Sequence, residues 1–236
     1  MRDAILESIQ IGRPQNYGRP DAAETHDQAW TTGFFKQPID GIIFVGRTNL
    51  SGDGQADLKH HGGLDKAVLA YSADHYPHWR RELDRPSLPF GAFAENLTIS
   101  GLDEQTVHIG DVYAVGPVQF EVSQPRQPCW KLARRWRMNE LVAMVIANGR
   151  TGWYLRVLHE GQIEAGMNVE LLRRPNPEWP IARANRILHH HKKDLKLTLQ
   201  LAAVPHLADA WVNELHERAE RLEIQAVAAT GSRSSE

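Results

Sequence analysis

The chain has 236 residues, with 27 Lys and Arg against 29 Asp and Glu, giving a formal net charge of -2. That near-balance gives no footprint for general nucleic-acid or membrane-surface binding. A single cysteine excludes an intramolecular disulfide framework and a multi-cysteine zinc or iron–sulfur site.

The opening "MRDAILESIQIG" carries two acids and lacks the apolar core of a signal peptide. No later run is long and apolar enough to span a bilayer, so a cytoplasmic protein is expected. From the start to about Arg174, short β-rich runs alternate with Gly, Asn, Asp and Pro. "AILESIQIG", "IDGIIFVG", "KAVLAYS", "NLTISG", "DVYAVG", "VQFEVSQP" and "NVELLRR" read as strands. Gly116-Pro117 between "DVYAV" and "VQFEV" predicts a hairpin. Two short helices interrupt the strands: "SADHYPHWRREL", with Asp74 as a start signal, and "NELVAMVIANG", with Gly149 as its stop. Irregularly spaced strands with few helices between them predict a mainly β fold, a closed or half-closed barrel over residues 1–174. The proline-dense "PNPEWP" then marks a break. "IARANRILHHH", "DLKLTLQLAA" and "PHLADAWVNELHERAERLEIQ" read as a small three-helix bundle over 175–228, with Leu207, Trp211, Leu215 and Leu222 on one face. Residues 229–236 read as a disordered tail.

The lone cysteine sits in "SQPRQPCWKLARRW". Prolines hold Gln124 and Gln127 extended, and Pro128 suits the first position of a helix. This places Cys129 in a helical first turn, where free N–H groups favour a thiolate and Arg126 and Lys131 push the same way. A nucleophile, a redox sulfur, a soft-metal ligand and a buried structural cysteine all stay open. The arginines Arg134, Arg135 and Arg137 read as a solvated helix face.

"GDGQADLKHHGGLDKAV" combines Gly52, Gly54, Gly62 and Gly63 with His60, His61 and Lys66. Such a loop can cradle an anion, or it can simply connect two strands. Lys36 and Arg150 each precede a strand and can reach a phosphate; singly, such residues are more often surface cations. His75 and His78 have a helical zinc spacing but no third ligand in view, and His189 to His191 read as solvated surface.

Taken in order, "TGFFKQPI", "GDGQADLKHHGGLDKAVLAY", "HYPHW", "FGAFAENLTISGL", "IGDVY", "SQPRQPCWKL" and "RTGWYLRVL" resemble the MOSC-domain family, and its bacterial YiiM-like branch in particular. The resemblance runs from about Thr32 to Leu171, and the helical region after Pro180 is similar to the three-helix extension of that branch. It implies a MOSC-type β-barrel that binds molybdenum cofactor (Mo-molybdopterin), with Cys129 ligating the metal. It further implies cofactor contacts at Lys36, His60, His61, Gly63, Asn96, Ser123, Gln124 and Arg126. The implied activity is reduction of small N-hydroxylated compounds, hydroxylamino-purines among them, with electrons from a separate reductase. The alternative is a non-redox module that carries the cofactor or sulfur through Cys129, because fold alone does not decide chemistry. An exposed amphipathic face on the terminal helices would offer the reductase a docking surface, and the apolar helix faces leave room for a homodimer. No nucleic-acid or membrane partner is expected. One departure is visible: the family segment "GEN" reads Ala94-Glu95-Asn96 here, so a left-handed backbone at Ala94 would be strained.

Overall fold

The computed structural model describes residues 3–57 and 61–231. The first strand, β1 (Ile5–Ile11), shows how this sequence folds locally. A register shift between Leu6 and Ser8 breaks the two-residue alternation, so Leu6 and Ile9, three apart, both face the core. A short hairpin follows, β2 (Gln15–Tyr17) with β3 (Trp30–Thr32), and then β4 (Gln37–Ile39), β5 (Ile43–Gly46) and β6 (Asn49–Leu50). Next come β7 (Val68–Ser72), helix α1 (Tyr76–Glu82) and β8 (Leu97–Ser100). After these, β9 (Val112–Val115) and β10 (Val118–Pro125) form the expected hairpin, closed at Gly116 with φ 54°. Helices α2 (Trp130–Trp136) and α3 (Leu141–Asn148) precede β11 (Trp153–His159), β12 (Gly161–Ile163) and β13 (Glu170–Arg173).

Eight strands form one sheet in the order β13-β9-β10-β11-β7-β8-β1-β4. The chain just before β13 bonds back to β1: Leu6 donates to the carbonyl of Met167 at 2.9 Å, and Val169 to that of Ala4 at 2.8 Å. The sheet therefore curls until its two sides meet, giving a barrel with interspersed short helices. β7 and β8 are parallel, which requires a crossover; α1 and its flanking turns supply it.

Two apolar clusters result. The first fills the barrel and includes Leu6, Val45, Phe120, Val122, Trp153 and Leu155. The second lies under α1, α2 and α3, around Tyr71, Tyr76, Trp79, Phe93 and Leu132.

Beyond residue 180, α4 (Ile181–His189), α5 (Leu195–Ala202) and α6 (Asp209–Gly231) form the helical region. Asp194 caps α5 by accepting from the Leu197 N–H at 2.9 Å. The buried stripe of α6 is Trp211, Leu215 and Ala219, while Leu207 lies before the helix and Leu222 is half-buried. Ile187, Leu201, Leu207, Trp211 and Leu215 belong to the same cluster as the barrel interior. The apolar face of these helices through Leu215 is thus covered by the barrel, while Ile224 and Val227 farther along α6 are exposed. α6 runs to Gly231, and residues 232–236 lie outside the described residues. No helix among the described residues is long and apolar enough to cross a membrane.

Other sequence expectations resolve locally. Gly149 ends α3 in a left-handed conformation, as its position predicts. Asp74 does not cap its helix; its carboxylate accepts from the Gly101 N–H at 3.0 Å, and Pro77 sits in the first turn of α1. His75 and His78 do not act together. The first hydrogen-bonds Glu104 at 2.6 Å and the second meets Arg81 at 3.0 Å.

Candidate functional site

A cleft of about 80 Å³ opens on one side of the barrel. Its floor includes Leu69 of β7 and Tyr154 of β11. Its walls come from connecting segments that hold Lys36, Gly54, Gln55, His61, Lys66, Ala94, Asn96, Arg126 and Cys129, and from Lys131 in the first turn of α2.

Cys129 is a free, half-buried thiol on this wall. It occupies the cap position of α2 with extended dihedrals (φ -114°, ψ 168°), and its carbonyl accepts from the Leu132 N–H at 3.0 Å. The helix therefore starts two residues later than "PCWKL" suggested, with Pro128 outside it. The Cys129 side chain makes no capping bond, which leaves its sulfur available to the cleft.

Arg126 is buried, yet it lines the cleft. Its backbone N–H reaches the carbonyl of Gly152 at 3.0 Å, and Nη2 reaches that of Phe93 at 3.2 Å. Its Nη1 has no partner among the described residues, and neither does the buried Oε1 of the nearby Gln124, whose Nε2 donates to the Pro125 carbonyl at 3.3 Å. An unpaired buried guanidinium N–H is costly, and such groups are the ones a ligand completes.

Lys36 and Asn96 are organised differently. Asp53 accepts from the Gly12 N–H at 2.7 Å, from Asn96 Nδ2 at 2.8 Å and from Lys36 Nζ. Burial pushes the Lys36 ammonium down, and the Asp53 charge opposes that shift. Asn96 also donates to the Gln10 carbonyl at 3.2 Å and accepts from the Leu69 N–H at 3.2 Å. Both residues line the cleft while serving as its frame, and only the second Oδ1 lone pair of Asn96 is left for a ligand. Asp53 was not singled out from sequence as their organiser, because nothing local marks which of several loop aspartates turns inward.

The remaining sequence candidates divide. Ser123 is buried and does not line the cleft; its hydroxyl reaches the carbonyls of Asp65 at 2.5 Å and Tyr154 at 3.1 Å, tying a loop to β11. Gly63 is exposed with φ 80° and starts the turn over Leu64–Lys66, so it shapes the loop. His61 lines the cleft, and burial lowers its pKa to about 4, with the Lys131 charge next in effect. It is therefore a neutral hydrogen-bonding group near pH 7. His60 lies outside the described residues.

Arg134 and Arg135 of α2 are not a solvated face, whereas Arg137, just past the helix, is exposed as expected. Arg134 donates to the carbonyls of His26 (3.3 Å) and Gln28, and its guanidinium lies 4.6 Å from the Trp30 ring centre. Arg135 lies 4.1 Å over Phe35, and Arg137 pairs with Asp27 at 2.6 Å. Arg134 thus holds β3 through Trp30, while Arg135 and Arg137 hold Phe35 after it and Asp27 in the connection before it. The sequence hid this because the two partners are about a hundred residues apart.

Two family models match: the MOSC domain over residues 57–170, and the YiiM-like 3-alpha helix domain over 179–221. The Bacillus subtilis protein YflK is 42% identical over 207 residues, covering 88% of this chain and 93% of its own. The chain belongs to the MOSC-domain family. Within it, the chain falls in the YiiM-like branch. The crystal structure of YiiM from Geobacillus stearothermophilus superposes with a TM-score of 0.76 at 32% identity, covering 92% of this chain and 99% of that one. A Gibberella moniliformis protein named "Reductase" is 37% identical over 193 residues; the match takes in 80% of this chain and 34% of that longer protein.

The donor set of the cleft fits a molybdenum–pterin phosphate. A free thiol is the soft ligand class suited to the metal. The open Arg126 Nη1, with Lys131 nearby, suits a phosphate.

Proposed function

We propose that this protein holds molybdenum cofactor in the cleft and reduces N-hydroxylated compounds there. The supporting observation is the convergence of the free Cys129 thiol and the unpaired Arg126 Nη1 on one cleft in a MOSC-family chain. Cys129 would hold the metal, with Arg126 and Lys131 holding the phosphate. Lys36, Asp53 and Asn96 keep the wall fixed.

When bound, the cofactor supplies two-electron oxygen-atom chemistry. The overall change is N–OH plus two electrons and two protons giving N–H and water. The electrons come from a separate reductase, and the protons from solvent at the cleft mouth. The relative named "Reductase" supports a redox reading over a carrier role. His61, neutral at working pH, can orient a substrate hydroxyl without drawing its proton.

The test is reduction of benzamidoxime to benzamidine by cofactor-loaded protein, with reduced viologen as the electron source. Turnover in the wild type that disappears in Cys129→Ala is the expected result. Bound cofactor with no turnover under any reductant would instead make the protein a carrier.

A further inference from the structure

The chain contains five tyrosines, and four of their hydroxyls end on protein acceptors. Tyr17 reaches Gln15 at 3.3 Å, Tyr71 the carbonyl of Arg150 at 3.0 Å, and Tyr113 the Asp111 carboxylate at 3.0 Å, while Tyr76 bonds Glu95. The hydroxyl of Tyr154 has no partner among the described residues. Its side chain lines the cleft together with Cys129 and Arg126.

Strand geometry fixes this placement. Along β11, Trp153, Leu155 and Val157 are buried in the barrel core, so Tyr154 projects from the opposite face. It pairs with Leu69 on one side, which also lines the cleft, and with Gln124 on the other. Gln124 pairs with Tyr154 across β10 and β11, and Arg126 directly follows β10, so the groups on these three residues that lack partners among the described residues arise from neighbouring positions. Lys36 is engaged by Asp53, and Ser123 by two carbonyls.

We propose that Tyr154 contacts substrate, its hydroxyl donating a hydrogen bond to the N–O oxygen of the N-hydroxylated compound beside Cys129. This rests on the function proposed above. The oxygen gains negative charge as the N–O bond breaks and leaves as water. A neutral phenol fixed at that point stabilises it more in the transition state than in the ground state. Tyr154 keeps its own proton throughout, so the balance of the reaction is unchanged.

The experiment compares wild type with Tyr154→Phe in the cofactor-loaded protein. Benzamidoxime is the substrate, and benzamidine is the ligand that lacks the oxygen. Expected are unchanged Mo, pterin and Tm, because the removed hydroxyl has no partner among the described residues. The kcat/KM for benzamidoxime should fall roughly ten- to a hundredfold. Calorimetry should show weaker benzamidoxime binding by about threefold or more, with benzamidine unaffected. Equal kcat/KM in the two proteins overturns the proposal. So does loss of pterin, which would assign the hydroxyl to the cofactor, or equal weakening of both ligands. A loaded wild type that reduces nothing overturns the functional reading and this proposal together. An active wild type matched by an equally active Phe variant overturns the proposal alone.

Discussion

Two polar regions of the same barrel are built to opposite rules. Around Glu95, a fully buried carboxylate takes hydrogen bonds from the Gly91 N–H at 2.7 Å, the Phe93 N–H at 3.1 Å, Thr98 Oγ1 at 3.1 Å and the Tyr76 hydroxyl. Every donor there has found its acceptor. At the cleft, Arg126 and Tyr154 present groups with no partner among the described residues, and the buried Oε1 of Gln124, paired with Tyr154 across the strands, has none either. Both regions are enclosed, so exposure does not separate them. The first contributes to holding the cleft wall in place. The second forgoes stability that a ligand is able to supply.

Substitutions should divide along that line. Glu95→Ala strips four donors of their acceptor inside the protein, and should lower stability by about 4 kcal/mol in urea melts. A cost near that of an exposed site would mean that the network is not a frame. Asp53→Ala leaves Lys36 as a buried ammonium without its counter-charge and releases Asn96 and the Gly12 N–H. About 3 kcal/mol of lost stability is expected. A double-mutant cycle with Lys36→Met should return much of that loss, because the stranded charge is then gone. The smallest effect is a gain. Ala94 has φ 65°, in the left-handed region, so Ala94→Gly should raise stability by about 1 kcal/mol. A loss there would mean that the alanine methyl contributes more by packing than the backbone strain removes.

Much of the frame was readable from sequence because it rests on local rules. Alternating apolar residues, the Gly116-Pro117 turn and the Gly149 stop each act over a few residues. The left-handed backbone at Ala94 was also foreseeable, from the missing glycine. Ordered motifs pointed to the family, and with it to Cys129 and Arg126. What stayed hidden depends on partners distant in sequence. Asp53 meets Asn96 across 43 residues, and Arg137 meets Asp27 across 110. The covered face of α6 looked unpartnered only because its partner is the barrel itself. Tyr154 carried one faint signal: it is the aromatic on the non-core alternation of "WYLRV". Only the fate of the other four tyrosines gives that signal meaning.

The central claim is that the unfilled floor belongs to a molybdenum–pterin cofactor anchored by Cys129. Metal and pterin analysis of protein purified from cells able to make molybdopterin tests it directly. Stoichiometric Mo and pterin in the wild type, with Mo lost in Cys129→Ala, is the predicted result. Wild-type protein containing neither would contradict it.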